Sequence, residues 1–203
     1  KAKTEETAEL LLYGEISSTS WWGDEVTPKA FKSELDNLGE IQRLNVFINS
    51  SGGDVFAGQA IYSMLKRHKA KVKAYIDGLA ASIASVIAMA ADIVVMPQNS
   101  MMMIHNPWTI GAGDAADFRK LADDLEKIRE SIVVAYQSKT GIEKDEVIEL
   151  MDAETWFTAE EAHQLGFADE IEEEKLIAAS AKGKQFTING REFDLSKYKN
   201  PPK

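Results

Sequence analysis

The chain has 203 residues, of which 44% are hydrophobic and 28% are charged, and its formal net charge is −10. This size and composition predict one domain with a substantial core, and the acidic balance argues against nucleic-acid binding, which needs clustered Lys and Arg. The absence of cysteine excludes disulfides, thiolate catalysis and cysteine-ligated zinc, and the three histidines lack ligand spacing, so we expect no metal and no cofactor.

The first half of the chain alternates between strand and helix patterns. Strands are predicted over 8–16, 43–49 and 71–76, and helices over 28–38, 57–68 and 82–91. Thr27-Pro28 supports the first helix start, because Thr caps a helix and Pro suits its first position. With short strands over 93–96 and 101–104, the order predicts a largely parallel sheet in an α/β domain.

No membrane segment or secretory signal is predicted. The longest apolar run, residues 79–91, is too short for a span of ~20 residues, and the first residues are polar. We therefore expect a buried helix at 79–91, no membrane association and a cytoplasmic location.

Residues 113–139 predict a long amphipathic helix. Apolar residues recur at steps of three and four along it, namely Phe118, Leu121, Leu125, Ile128, Ile132 and Ala135. At ~1.5 Å per residue the helix is about 40 Å long. It either packs along the domain or projects to meet a partner, and its pattern leaves both interpretations open.

The C-terminal region changes character after Ala178. Before that point, Thr158 and Glu161 form a capping box that predicts a helix ending at Gly166. Beyond it, Asn189-Gly190 lies between strand-like runs, which is a hairpin signal. We therefore divide the chain into a main domain, 1–178, and a C-terminal tail, 179–203, that contains a β-hairpin.

Three elements have the residue types needed for serine acyl transfer: Gly52-Gly53, Ser82 and His105. Each follows a predicted strand, and functional groups gather at the carboxyl ends of parallel strands. A serine nucleophile, a histidine base and free backbone N–H groups can together hydrolyse an acyl bond. Each element also has a structural interpretation: a helix cap for the serine, a structural histidine and a simple turn at the glycines. Ser85, one turn further on, is expected to pack within its helix.

The carboxylate that would orient His105 is not determined by these patterns. Asp152 and Glu154 are the leading pair, since both precede the Trp156 to Ala159 segment. The residues alone do not choose between the two.

The order and spacing of these motifs resemble the ClpP family of Clp-type serine proteases, peptidase family S14, from about Leu10 to Ile171. The matching blocks are residues 47–53, 57–62, 78–82, 97–100, 103–107 and 158–169. The resemblance implies that Ser82 is the nucleophile and His105 the general base. It also implies an oxyanion hole from the backbone N–H groups of Gly53 and Ile83, and it aligns Glu154 with the family's acid, with Asp152 as the alternative.

The resemblance further implies a fold and an assembly. The fold is the ClpP/crotonase-like spiral of ββα units, in which residues 113–139 form a protruding handle helix. The expected function is a serine endopeptidase of the ATP-dependent-protease type, with active sites inside a chamber of heptameric rings. Unfolded polypeptides or peptides would be the substrates, and an ATP-dependent unfoldase would be a partner.

Some positions depart from the family pattern. The family's Asp-Arg pair is Glu154-Thr155 here, its Pro before the glycine pair is Ser51, and the tail after Ala178 has no obvious counterpart. These features resemble phage-encoded ClpP-like proteases of head maturation, which act in a prohead in the host cytoplasm. The alternatives are a crotonase-type acyl-CoA enzyme, which shares the fold and an oxyanion hole, and an inactive ring scaffold, suggested by the altered acid position.

Overall fold

The computed structural model describes residues 7–20 and 23–172, and the backbone of three further strands, 179–182, 185–188 and 191–194. The chain divides into two compact units, Lys1–Glu172 and Glu173–Lys203. The first unit has a mostly parallel sheet with helices, which confirms the predicted α/β class. Among the described helices, none is long and apolar enough to cross a bilayer.

The elements of the first unit alternate as the sequence predicts. In the first half they are β1 (Thr7–Tyr13), α1 (Pro28–Asn37), β2 (Arg43–Ser50), α2 (Val55–Lys66), β3 (Lys71–Ala81), α3 (Ile83–Ala88), β4 (Ile93–Pro97) and β5 (Met101–Ile104). In the second half they are α4 (Ala115–Thr140), α5 (Lys144–Asp152), β6 (Thr155–Thr158), α6 (Ala159–Gln164) and β7 (Glu170–Glu172). Thr27 caps α1 by accepting a hydrogen bond from the Ala30 N–H at 3.1 Å, as its position before Pro28 predicts.

The sheet follows the order β1-β2-β3-β4-β7, and all of these neighbours are parallel. β5 pairs in parallel with the end of β3 and in antiparallel orientation with β6. Alternate residues of β2, namely Leu44, Val46 and Ile48, are fully buried against the helices. The parallel pairing of β2 with β3 places their carboxyl ends next to each other.

β3 is longer than the sequence predicts, and this changes where the chain turns. The expected strand ends at residue 76, with a turn over Gly78 to Ser82. Instead β3 continues to Ala81, because Leu79, Ala80 and Ala81 pair with residues 101–103 of β5. Only Ser82 therefore lies between the strand and α3.

The first strand is shorter than predicted. β1 ends at Tyr13, and Gly14 turns the chain with φ 95°. Ile16 then forms isolated bridges with Val26 and Gly53. The predicted strand over 8–16 is therefore two segments, and the second one supports the glycine pair.

The long helix has two different halves. α4 begins at a capping box of Asp114 and Asp117 and ends at Gly141, which has φ 73°. Near its C-terminus, Ile132, Val133, Ala135 and Tyr136 are buried in the core. Its N-terminal half lies on the surface, where Phe118 is 50% exposed. The C-terminal half therefore packs along the domain, as the first interpretation predicts, while the N-terminal half leaves an apolar side chain open to solvent.

The second unit contains an antiparallel sheet of β8 (Ala179–Lys182), β9 (Gln185–Ile188) and β10 (Arg191–Asp194) in the order β10-β9-β8. The Asn189-Gly190 turn predicted from sequence lies outside the described residues.

Candidate active site

Ser82 makes a strained turn at the carboxyl end of β3. Its φ is 54° and its ψ is −129°, a conformation that non-glycine residues rarely adopt and that clusters at functional sites. The Ser82 N–H donates to the Met103 carbonyl at 2.9 Å, so β5 holds the turn. Its side chain makes no capping hydrogen bond to α3, which leaves the hydroxyl for another partner.

That partner is His105. The distance between His105 Nε2 and Ser82 Oγ is 2.8 Å, within hydrogen-bond range. The contact follows from the sheet, because Ala81 and Met103 are paired and each side chain lies just beyond that pair. With a proton on Nδ1, the neutral imidazole accepts the serine proton at Nε2.

The glycine pair packs directly against this turn. A Cβ on Gly52 would lie 2.7 Å from Ser82 Cβ, and one on Gly53 would lie 2.0 Å from the Ile16 carbonyl oxygen. Both residues have positive φ, 97° and 142°. Only glycine fits such close contacts in this backbone conformation.

Two backbone amides beside Ser82 have no partner among the described residues. The Ile16 bridge uses the Gly52 carbonyl and the Asp54 N–H, both at 2.8 Å, so the intervening Gly53 N–H points away from Ile16. The Ile83 N–H is the first of α3, where an intrahelical acceptor is lacking. These are the two donors that the sequence analysis names for an oxyanion hole.

A cleft of about 380 Å³ opens beside Ser82 and His105. It is lined by Glu15, Ser51, Gly52, Gly53, Val55, Ser82, Met103, His105, Pro107 and Trp108. Trp108 is 71% exposed and forms part of its rim. Another cleft, of about 530 Å³ and lined partly by Gln42 and His68, lies at the amino ends of β2 and β3, away from this chemistry.

The two candidate acids, Glu154 and Asp152, are placed by different contacts. The antiparallel register of β5 and β6 ends at the pair Ile104 and Thr155, so His105 and Glu154 are the next residues beyond that pair, and Glu154 has the unusual φ of 48°. Asp152 instead accepts hydrogen bonds from Asn106 Nδ2 at 2.7 Å and Arg129 at 3.4 Å. Among the described residues, His105 Nδ1 has no hydrogen-bond partner, so neither carboxylate is bound to it in this conformation.

Sequence reasoning missed a polar group beside the histidine. Asn106 and Arg129 both contact Asp152, and each also has a buried atom without a hydrogen-bond partner, Oδ1 and Nε respectively. Arg129 belongs to α4, 24 residues after His105 in the chain, so no local pattern links the two. In the sequence, only the polar Asn106 directly after His105 could have indicated this group.

Comparisons with known proteins find similarity to a single family over most of the chain. The family model described as Clp protease matches residues 10–175. The ATP-dependent Clp protease proteolytic subunit of Bacteroides fragilis is 30% identical over 154 residues, which are 73% of this chain and 74% of that protein. The protein of the same name from Deinococcus radiodurans is 31% identical over 140 residues, 68% of each chain. The ATP-dependent Clp protease proteolytic subunit 2 of Treponema denticola is 32% identical over 170 residues, which are 81% of this chain and 82% of that protein.

Proposed function

Since the chain belongs to the Clp protease family and is a serine endopeptidase, we propose that Ser82 is its nucleophile and His105 its general base. The 2.8 Å contact between Ser82 Oγ and His105 Nε2 is the observation that carries this proposal. The strained Ser82 turn supports it, because the turn leaves Oγ free of any helix cap and next to the cleft.

The proposed reaction has two halves. Ser82 Oγ attacks the carbonyl carbon of the peptide while His105 Nε2 takes the hydroxyl proton. The N–H groups of Gly53 and Ile83 stabilise the oxyanion, and loss of one such donor typically costs ~10²–10³ in rate. Collapse breaks the C–N bond, the amine leaves with the proton from Nε2, and water then hydrolyses the acyl-enzyme by the same steps.

We propose Glu154 as the carboxylate that orients His105, with Asp152 as the alternative. Its support is the strand register, which makes Glu154 and His105 the next residues beyond the last pair of β5 and β6, and the positive φ at Glu154. The Asp152 carboxylate already accepts two hydrogen bonds from Asn106 and Arg129. Glu154 is exposed and has no side-chain partner among the described residues, so its carboxylate is not held by another group.

The proposed assembly is a heptameric ring, stacked through the handle helix, that encloses the active sites. Its support is the family membership and the apolar stripe on the N-terminal half of α4, where Phe118 is half exposed and Leu121 and Leu125 are partly buried. The relatives are named as proteolytic subunits of ATP-dependent proteases. By analogy we propose that an ATP-dependent unfoldase delivers unfolded polypeptide to this chain in the cytoplasm.

Processing of capsid proteins in a phage prohead is the second candidate. Glu154-Thr155 in place of Asp-Arg and the sheet-containing segment after Ala178 favour it. A crotonase-type acyl-CoA enzyme needs no nucleophilic serine, so the Ser82–His105 contact argues against it. The same contact argues against an inactive ring scaffold.

A fluorophosphonate probe tests the central proposal. It should modify the chain stoichiometrically at Ser82, as found by peptide mass mapping, because only an activated serine attacks phosphorus rapidly. Ser82→Ala should abolish labelling, and Ser63→Ala, which removes a hydroxyl on α2, should leave it unchanged. Absence of labelling in the unmodified chain would contradict the assignment and favour a scaffold.

A further inference from the structure

A buried chain of hydrogen bonds joins α4 to the back of the Ser82 turn. Ser85 Oγ lies 2.6 Å from the Ser82 carbonyl oxygen and 2.8 Å from the hydroxyl oxygen of Tyr136. Ser85 is 0% exposed and Tyr136 is 1% exposed. Neither residue lines the cleft, so neither can contact a substrate there.

The direction of this hydrogen-bond chain is fixed by its members. A carbonyl oxygen can only accept, so the single Ser85 proton goes to the Ser82 carbonyl. The Tyr136 hydroxyl must then donate to Ser85 Oγ. Burial raises the pKa of Tyr136 well above its ordinary value, so this phenol keeps its proton.

The carbonyl at the end of the chain belongs to the peptide that bears the Ile83 N–H. That peptide is trans, like every other described one, so its C=O and N–H point in opposite directions. The Ser85 N–H donates to the same carbonyl at 3.0 Å. Fixing the carbonyl towards the protein interior therefore directs the Ile83 N–H the opposite way, and hydrogen bonds to the carbonyl also strengthen that N–H as a donor.

We propose that Ser85 and Tyr136 are positioning residues that hold the Ser82–Ile83 peptide so that its N–H serves the oxyanion. This inference rests on the proposed function, in which Ile83 donates to the tetrahedral intermediate. Without the two hydroxyls, only the Ser85 N–H still binds this carbonyl, so the peptide of the strained turn is held less firmly and its N–H is directed less accurately at the oxyanion.

The core makes Tyr136 a rigid support. Its ring packs edge-on against Phe167, with centroids 5.7 Å apart, and Phe167 stacks on Phe157 at 5.0 Å. Val133 and Ile132 beside it on α4 are buried as well. Because the ring is held on its apolar sides, removing only the hydroxyl leaves its packing in place.

The test compares Tyr136→Phe, Ser85→Ala and the double variant on a small fluorogenic peptide. Each variant should lower kcat by about tenfold to 10²-fold, the range for a misaligned catalytic group, while KM changes by less than twofold. The double variant should be no slower than Ser85→Ala, because both changes break one chain. The affinity for a peptide boronate, whose adduct oxygen occupies the oxyanion hole, should fall in parallel with kcat.

Ser100→Ala is the matched control. Ser100 is a buried serine whose Oγ donates to the carbonyl three residues earlier, Pro97 O, at 2.8 Å, as Ser85 does to Ser82. The Ser100→Ala variant should lose about as much thermal stability as Ser85→Ala, but its kcat and its affinity for the boronate should stay unchanged. Equal kcat losses in Ser85→Ala and Ser100→Ala, or unchanged boronate affinity in Tyr136→Phe, would show that the hydroxyls only stabilise the fold.

Fluorophosphonate labelling distinguishes failure of the positioning role from failure of the proposed function. If the unmodified chain is labelled at Ser82 but Tyr136→Phe and Ser85→Ala keep full kcat, only the positioning role is wrong. If the unmodified chain is not labelled, the proposed function fails and this inference fails with it.

Discussion

Ser82 has a backbone conformation that costs about 1–3 kcal/mol and that the surrounding structure must over-determine. Its N–H is bound by Met103, its carbonyl by Ser85, and Gly52 packs against its Cβ. The hydroxyl is the one polar group of the residue left to face His105. The strained backbone, the contacts that hold it and the proposed nucleophilic hydroxyl therefore all belong to Ser82.

Removal of either partner of the Ser82–His105 contact should abolish turnover. Ser82→Ala and His105→Ala should each lower kcat by up to ~10⁶ on a peptide substrate, because nucleophile and base act as a unit. The double variant should be no slower than the single ones. Circular dichroism should show unchanged folds, and residual activity within 10³ of the unmodified chain in Ser82→Ala would contradict the nucleophile assignment.

The two acids can be separated by variants that keep shape and remove charge. Glu154→Gln should lower kcat at pH 7 by about 10⁴, the loss known for a triad carboxylate, because an uncharged amide neither fixes the imidazole tautomer nor stabilises the imidazolium that forms. Asp152→Asn should cost less than tenfold in kcat, since this carboxylate binds Asn106 and Arg129.

The reverse order of these two losses would make Asp152 the working acid. If neither variant slows the enzyme, His105 is oriented by another group and the site is a dyad. Arg129→Gln serves as a control, because it weakens the contact to Asp152 without touching Glu154.

That Ser82, His105 and the glycine pair lie together could be predicted from sequence, because each follows a strand of recognisable pattern. The position of Glu154 relative to His105 could not, because it depends on the pairing of β5 with β6, and no periodicity predicts the short strand β6. The bond between Ser85 and Tyr136 joins residues 51 positions apart, and each taken alone reads as ordinary packing.

At the scale of elements, α2 and α3 contact each other through a glycine. A Cβ on Gly58 would lie 2.2 Å from Ile83 Cγ1, too close for the two helices as they are packed. Ile83 also bears the proposed oxyanion donor. The contact between Gly58 and Ile83 therefore affects both the packing of the two helices and the position of the proposed oxyanion donor. The sequence pattern of neither helix predicts this contact.

Gly58→Ala should destabilise the protein although alanine is the better helix former. The helix preference of about 1 kcal/mol is outweighed by overpacking, which costs about 1–3 kcal/mol, and the shift of Ile83 should lower kcat as well. Thermal unfolding and peptide kinetics measure the two effects. Ser63→Ala on the same helix should change neither, and a raised Tm in Gly58→Ala would mean that α2 and α3 separate without cost.

At the scale of the whole molecule, α4 connects the core to an open surface. Tyr136 at its buried end contacts the back of the Ser82 turn, while Phe118 near its other end is half exposed. Ile128 packs against the core of its own chain, so only the part of the stripe before it is available to a partner. The length of α4 was predictable from its spacing, but the point at which burial begins depends on the fold.

The exposed part of this stripe should carry the stacking of rings. Light scattering should show the unmodified chain as an oligomer larger than one ring, and the double variant Phe118→Asp with Leu125→Asp should halve that mass, because two carboxylates per helix cannot be buried without partners. Lys127→Asp makes the same change in net charge on the polar face of α4, where Lys127 pairs with Asp124, and should leave the mass unchanged. A monomeric unmodified chain would contradict the assembly itself. An unchanged mass in the double variant would contradict only the role of α4, since a ring held by other surfaces needs no contact between these helices.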